Sequence, residues 1–512
     1  MILHRRATRG RNATVALTLV AIAGGGLARA TAENERTVHS QWIEPGADIV
    51  LPAHANYQNA LGGLGVINVA GDVHTSGHPF FEPIGTNGRA CVTCHQPSDA
   101  MSLSLDSIRE RWAATQGADP LFDTFDGANC PDQPRGERSS HSLLLDHGLF
   151  RIPLAWPPKR FDGTPVKPEF TIEVIKDPTG CNTHPTYGLQ SKNPTISVYR
   201  RPRMAANLPY ILRPGNPFSF KIGAKDIDPR TGRHASMNLM ADGRLLSLED
   251  QALDAMANHM QMHSAPDAVT LQRIVSYENQ LYVAQQYDKR ARKLGGEGAP
   301  YSLGPEAMIE YVDKYDYYLG DALDMPVFGG FEAWKSEPAD GDEQQRARAS
   351  IARGHDVFFL RPFWIRDATH INSVGLGNPI RRTCSTCHNA IMTGHDIAPA
   401  FMDVGTSNLP WAEARPELPL FKLECEPEAV PHPYLGRTVY THDPGRALIS
   451  GKCEDIGSLT MQQFRGLAAR APYFSNGTAK DIAGIVDFYD RRFDMQLTDQ
   501  ERTDLINFLG SL

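Results

Sequence analysis

Two stretches of this 512-residue chain share the pattern Cys-x-x-Cys-His. The pattern residues are Cys91, Cys94 and His95 in the first stretch and Cys384, Cys387 and His388 in the second. Two thiols at this spacing reach the two vinyl groups of one porphyrin, and the adjacent imidazole binds the iron. A zinc site or a redox-active cysteine pair does not require that histidine. The sequence therefore predicts two covalently bound haem c groups, with His95 and His388 as iron ligands.

The other four cysteines are Cys130, Cys181, Cys425 and Cys453. An even number of cysteines in an exported protein is typical of disulfides, although four cysteines permit three connectivities. The simplest pairing joins the two cysteines in each half of the chain. We therefore expect the bridges Cys130–Cys181 and Cys425–Cys453.

Residues 1–32 have the layout of a secretory signal peptide. A basic start is followed by an apolar or small-residue stretch over residues 13–27 and by small residues before position 33. An uncleaved membrane anchor is the alternative, but the apolar stretch is too short to span a bilayer comfortably. The sequence predicts a periplasmic protein with no membrane span in the mature chain.

Composition and charge place the chain among soluble globular proteins. Apolar residues make up 41% and charged residues 21%. The formal charge is −8, and it becomes −13 without residues 1–32, which hold five arginines and no acid. Such a surface repels phosphate backbones, so nucleic acid is not expected as a partner. The net charge favours a basic redox protein instead.

Helical periodicity and capping signals dominate the chain outside residues 96–190. The predicted helices start at Ser247 and continue through Met260, run from about Thr270 to Tyr287, lie near Asp481 to Arg491, and start at Thr498 and continue through Leu509. Residues 96–190 are rich in Pro, Gly and Asp and contain a short β-like run, Phe170 to Ile175. Residues 337–345 are polar and predict a linker.

These patterns predict a mainly α fold with two cytochrome-c-like haem domains. The N-terminal haem domain covers residues 33–336 and holds a loop-rich, disulfide-held insertion at about 96–190. The C-terminal haem domain covers residues 346–512. Similar aromatic-rich sequence precedes both haem motifs, which suggests a distant internal repeat.

Several short motifs carry a family resemblance. They are Asp242-Gly243-Arg244 in the N-terminal half, and Asp403-Val404-Gly405-Thr406, residues 471–477 and Val486-Asp487-Phe488-Tyr489 in the C-terminal half. Their order and spacing resemble the bacterial di-haem cytochrome c peroxidase superfamily, which includes MauG-type enzymes and rubber-cleaving di-haem oxygenases. The resemblance covers about 250 residues. It implies a first haem that meets peroxide and a second haem that relays electrons.

Two departures from that family concern its chemistry. A Trp expected between the haems is replaced by Ala241, and the Glu that handles peroxide protons is replaced by Gln261. An amide cannot accept and return a proton as a carboxylate does. We therefore expect Gln261 to face the first haem and ordinary cytochrome c peroxidase activity to be poor, unless another acid such as Glu278 or Glu249 enters the pocket.

The sequence leaves more than one candidate for the second iron ligand of each predicted haem. The resemblance aligns Tyr489 with the distal ligand of the second haem, with a core role as the alternative and Met495 as the rival ligand. For the first haem, the candidates near Gln261 are His259, Met260, Met262 and His263. Each of these four could equally be a packing or hydrogen-bonding residue.

The function implied is that of a periplasmic di-haem oxidoreductase. It would react with hydrogen peroxide or dioxygen at the first haem and relay electrons through the second. Its electron partner would be a small redox protein or another periplasmic oxidoreductase. The alternative is a di-haem electron carrier that serves a periplasmic dehydrogenase. An open coordination position discriminates the enzyme from the carrier, because a carrier keeps both irons six-coordinate.

Overall fold

The computed structural model describes residues 41–159, 163–212, 238–312, 328–338, 340–388, 393–394 and 401–512. The predicted signal peptide lies outside these residues. All the elements below belong to one unit, Ile43–Leu512. No helix in the described ranges is both long enough and apolar enough to cross a membrane.

The helices, numbered in chain order, are α1 Leu105–Thr115, α2 Ser142–His147, α3 Leu208–Ile211, α4 Leu248–Asn258, α5 Ala268–Asn279, α6 Pro305–Tyr311, α7 Glu332–Lys335, α8 Glu343–Leu360, α9 Ala447–Ser450, α10 Ile482–Phe493 and α11 Asp499–Gly510. The predicted caps are confirmed. The Ser247 hydroxyl accepts from the Asp250 amide, and Thr498 and Glu501 form a capping box. The linker predicted over residues 337–345 is shorter in the structure, because Asp342 caps α8 and residues 343–345 form the first turn of that helix.

The strands are β1 Val50–Leu51, β2 His54–Asn59, β3 Gly62–Asn68, β4 Val73–His74, β5 Phe150–Ala155, β6 Phe170–Lys176, β7 Thr195–Arg200, β8 Leu281–Asp288, β9 Arg292–Lys293, β10 Phe363–Ile365, β11 Ile380–Arg382, β12 Phe401–Met402, β13 Leu420–Cys425, β14 Thr438–Thr441 and β15 Leu459–Thr460. They form one four-stranded sheet in the order β2-β3-β8-β9, a three-stranded sheet in the order β14-β13-β6, and several two-stranded sheets.

The prediction of a mainly α fold was wrong. Helices, counted together with short 3₁₀ and π turns, account for 31% of the described residues, and strands, counted together with isolated bridges, for 18%. One cause is the segment predicted as a single helix from about Thr270 to Tyr287. It ends as helix at Asn279 and continues as β8, which pairs antiparallel with β3. Aromatic and β-branched residues in β8 suit a pleated, buried strand, and pairing with distant β3 overrides the local helical periodicity.

The loop-rich segment at about 96–190 packs on the C-terminal half of the chain. Its predicted strand exists as β6 and pairs with β13, where Phe170 lies opposite Cys425. Both predicted disulfides are confirmed, with Cα–Cα distances of 5.2 Å for Cys130–Cys181 and 5.9 Å for Cys425–Cys453. The Cys130–Cys181 bridge and a sheet built from both halves therefore constrain this segment.

A buried ionic junction also joins the two halves. Arg200, at the end of β7, donates two hydrogen bonds to Asp443, at 2.6 and 2.9 Å, and a third to Asp242 at 2.5 Å. All three side chains are almost fully buried. Arg244 donates to the other side of Asp242, at 3.0 Å. Both carboxylates thus share buried guanidinium partners, which offset the cost of removing charges from water.

Candidate haem sites

Both Cys-x-x-Cys-His motifs begin in a short turn, Cys91–Thr93 and Cys384–Thr386. The Nδ1 of His95 donates to the Met101 carbonyl at 2.9 Å, and the Nδ1 of His388 donates to the Gly394 carbonyl at 3.1 Å. Each bond reaches six residues along the chain. It fixes the ring and leaves Nε2 as the nitrogen able to bind iron, as in most metal-ligating histidines. The two copies therefore share local geometry as well as sequence.

The first motif opens onto a large cavity of mixed character. It measures about 1490 Å³, including the space open to solvent, and is lined by Cys91, Cys94 and His95. Apolar walls come from α4, α5 and residues 204–211. Charged side chains also line it, and they are Arg89, Asp126, Arg200, Arg201, Arg203, Arg244, Glu278 and Arg470. This combination can hold a flat apolar ring and still stabilise charge beside it.

The second cavity is smaller and almost wholly apolar. It measures about 690 Å³, including the space open to solvent, and is lined by Cys384, Cys387 and His388. Of the described residues around it, none is Asp, Glu, Lys or Arg. Burial lowers the pKa of His388 to about 4, so its imidazole is neutral at neutral pH. An apolar wall limits access by water and polar substrates.

Two buried arginines in the first cavity bear on whether a haem would fit there. Arg203 and Arg470 both line it, and the Nε of each is enclosed without a hydrogen-bond partner among the described residues. Their other hydrogen bonds among the described residues go to backbone carbonyls and to the Gln462 amide oxygen. Burial lowers the pKa of Arg203 to about 9 and that of Arg470 to about 10. Buried cations without a carboxylate partner are costly, and the two propionates of a haem would supply that partner.

Glu278 is the acid that the structure places at the first cavity. It lies on α5 one turn after Ile274, and both side chains line the cavity. The side chain is only 4% exposed, and its Oε2 has no hydrogen-bond partner among the described residues. Burial raises the pKa of Glu278 to about 8. A carboxyl in such a place can take up and release a proton near neutral pH.

His259 is held in the same cavity by a buried acid. Its Nδ1 donates to Asp126 at 2.6 Å, and Asp126 is also paired with Arg89. Burial alone would raise the pKa of Asp126, but Arg89 and His259 hold it below its usual value. The backbone carbonyl of His259 accepts from Asn87 at 2.9 Å and from Arg89 at 3.0 Å. The imidazole is therefore fixed with Nε2 as its remaining nitrogen.

The sequence predicted that Gln261 follows on the same helix as Ser247 to Met260. In the structure that helix, α4, ends at Asn258. Gln261 follows with a left-handed backbone, φ 54°, and its carbonyl accepts from the Thr86 hydroxyl at 2.9 Å. Its side chain is not among those that line the cavity, whereas His259, Met260 and Ala241 are. The catalytic role of Gln261 stays a prediction. Met262 and His263 do not line the cavity either.

Tyr489 lies against the second histidine. Its hydroxyl donates to the Nε2 of His388 across 3.4 Å, and its ring packs on Phe493 at 6.2 Å. The phenol oxygen thus faces the nitrogen that would bind iron, so His388 and Tyr489 could both hold a haem iron in this cavity. Met495 also lines this cavity and stays the rival. Both the ligand role and the packing role are compatible with this position.

Tyr489→Phe is expected to change the visible spectrum of the ferric protein at the second haem. The substitution removes the oxygen and keeps most of the ring packing, so a spectral change would report the lost ligand. Absorption and electron paramagnetic resonance spectra of the variant check it. Met495→Leu is the matched control and should leave the spectrum unchanged. If only the Met495 variant changes, Tyr489 is a core residue.

A single segment, 461–464, forms part of both cavities. Gln462 and Gln463 line the first, whereas Met461 and Phe464 line the second. The Phe464 ring lies 4.5 Å from the His388 ring, centre to centre. Arg470 donates to the Gln463 carbonyl, so the first cavity's buried arginine is tied to this wall. The two candidate sites therefore have residues 461–464 as a shared part of their walls.

Comparison of the chain with known protein families and curated proteins gives no match to any family model or curated sequence. The assignment of both sites therefore rests on their residues. Sequence reasoning named Glu278 only as an open alternative, and it missed the arginines and Asp126. The signal for Glu278 was its position four residues after Ile274, on the apolar stripe of a predicted helix.

Proposed function

We propose that this protein is a di-haem c-type oxidoreductase that reacts with hydrogen peroxide or dioxygen at the N-terminal haem. The C-terminal haem relays electrons to or from a partner. The observation that supports this most is the asymmetry of the two cavities. The first is large and holds Glu278, His259 and buried arginines, whereas the second is small, apolar and faced by Tyr489.

Each part of that asymmetry has a chemical consequence. Bound haem would supply one-electron chemistry and a position for peroxide or dioxygen. Cys91, Cys94 and His95 would hold it in the first cavity, with Arg203 and Arg470 on its carboxylates. Glu278 would accept a proton from peroxide and return it to the leaving oxygen. The Asp126 carboxylate holds the His259 ring in one orientation, which allows His259 to donate a hydrogen bond or a ligand nitrogen.

The second cavity suits electron relay. Cys384, Cys387 and His388 would hold the haem, and apolar walls exclude water from it. If His388 and Tyr489 both held the iron, an apolar pocket around them would limit rearrangement when the charge changes, which is what a relay needs. The segment 461–464 provides the shared wall between the sites. The alternative of a non-catalytic carrier would favour a first cavity that is as small and apolar as the second.

The purified, exported protein is expected to carry two haems and to react at only one. Intact mass and a haem stain after denaturing electrophoresis should show two covalent haems. Electron paramagnetic resonance should show one ferric signal that changes on adding peroxide and one that keeps its ligands. Cys384→Ala should weaken attachment of the second haem alone. Loss of haem into acidic organic solvent, or two unreactive six-coordinate irons, would contradict the proposal.

A further inference from the structure

The outer face of the β10–β11 hairpin combines an exposed aromatic ring with arginines. Trp364 on β10 is 54% exposed and lies opposite Arg381 on β11. Arg366, two residues after Trp364, is also exposed on this face, and Arg382, which lies opposite Phe363, is exposed at the end of β11. Side chains along β10 alternate between the two faces of the hairpin. Phe363 and Ile365, on either side of Trp364, are therefore buried and line the second cavity. One face of this hairpin is therefore the wall of a candidate haem site, and the other is surface.

The charge of this hairpin is opposite to that of the whole chain. The chain carries −8, whereas the described side chains that the hairpin exposes include three arginines. Within the described part of the chain, Arg366, Arg381 and Arg382 have no carboxylate within ion-pair distance. The nearby acid Asp367 is engaged by the Asn378 amide at 2.8 Å. Unpaired surface charge of one sign attracts a partner of the other sign.

The apolar part of the surface adds a contact area. Val374 and Leu376, in the turn that joins the two strands, are 55% and 57% exposed. Trp and Arg are the residues most enriched at the energetic centres of protein interfaces. Brief redox encounters need only a small area of this kind. The placement against the second cavity favours a redox protein over a lipid surface as the occupant.

We propose that this hairpin face docks the acidic surface of a one-electron redox protein, which exchanges electrons with the C-terminal haem. This inference rests on the proposed function. In each encounter, one electron leaves the reduced cofactor of the partner and enters the haem, and no atom or proton is transferred. The net charge of the chain favours a basic partner, whereas the arginines of this hairpin favour an acidic one.

The test is stopped-flow reduction of the two-haem protein by two reduced monohaem cytochromes c of similar potential, one acidic and one basic. The acidic cytochrome should react faster, and its rate should fall as ionic strength rises. The double variant Arg366→Glu, Arg381→Glu should slow it by about tenfold or more, because electrostatic steering contributes factors of 10–10³ to association. Trp364→Ala should slow it at high ionic strength as well.

The matched control is Arg292→Glu with Lys293→Glu, two exposed cations on β9. It changes the net charge by the same amount and should leave the rate nearly unchanged. Dithionite, which needs no docking surface, should reduce all variants equally. A faster reaction with the basic cytochrome, or equal losses in both double variants, would overturn the docking site. So would binding to anionic phospholipid vesicles with no effect on cytochrome reduction. A protein without haem absorption would instead refute the proposed function.

Discussion

Glu278→Gln is expected to slow the reaction with hydrogen peroxide by roughly 10²–10⁴-fold, the usual contribution of a positioned acid–base group. The substitution preserves the shape of the side chain. It removes the ability to exchange a proton, because an amide cannot exchange a proton as a carboxyl group does. Glu278 is buried, lines the first cavity and has an Oε2 without a hydrogen-bond partner among the described residues. Stopped-flow mixing of the ferric protein with peroxide measures the rate.

The pH dependence gives a second measurement. Burial raises the pKa of Glu278 to about 8, so the carboxyl is mostly protonated at pH 7. A group that must first accept a proton from peroxide is active when ionised. The rate of the wild-type protein should therefore rise with pH and level off above about pH 8. Glu278→Gln should lose this rise.

Two further variants separate the alternatives. Glu249→Gln is the matched control, because Glu249 is a half-buried acid that does not line the cavity. Gln261→Glu tests the residue that the family resemblance favours. A large loss in the Glu249 variant, or a wild-type rate and pH profile in the Glu278 variant, would show that Glu278 does not move the proton. A gain in the Gln261 variant alone would return the role to position 261.

Arg200→Ala is expected to lower the free energy of unfolding by about 3–5 kcal/mol, the range for breaking a buried ion pair. Asp242 and Asp443 would remain buried without the guanidinium that binds both. Urea unfolding of the two-haem protein measures the change. Arg502→Ala is the matched control. Arg502 makes two similar bonds to Asp487, at 2.6 and 2.9 Å, but that pair is more than one-third exposed.

The exposed pair should contribute at most about 1 kcal/mol. Comparable losses in the two variants would contradict this expectation.

The pH dependence of the stability loss in Arg200→Ala has a defined sign. Burial alone would raise the pKa of Asp242, but Arg244 and Arg200 hold it well below its ordinary value. A carboxyl with a lowered pKa stabilises the fold above the pKa of the unfolded chain, about 3.9, and this is lost as the pH falls. The deficit of Arg200→Ala should therefore be greatest near pH 7 and shrink below about pH 4.

The parts of this protein that follow from sequence are those with short-range causes. The Cys-x-x-Cys-His spacing predicts attachment to one porphyrin from five adjacent residues, and the structure gives both copies the same turn and the same Nδ1 bond to a carbonyl. Ser247 and Thr498 cap their helices through groups three residues away. The disulfide pairing follows proximity along the chain. Such features depend little on the rest of the fold.

The errors and omissions concern groups brought together over long separations. The segment that forms β8 was predicted as helix because its apolar residues have helical spacing. Its strand partner, β3, lies more than 200 residues away in the sequence. Gln261 was placed on a helix that in the structure ends before it. Glu278 could be named only as one of two acids, because burial is a property of the packed chain. Arg203 and Arg470 were not noticed, since neither is unusual until a shared cavity removes both from water.

Sequence alone thus determined which atoms could bind two haems, and the tertiary structure decided how the two sites differ. Identical motifs lie beside a large cavity with a buried acid in one half and beside a small apolar cavity in the other. The physical reason is that covalent attachment needs only five adjacent residues. Reactivity instead depends on burial and charge supplied by segments far apart in the chain, which only packing brings together.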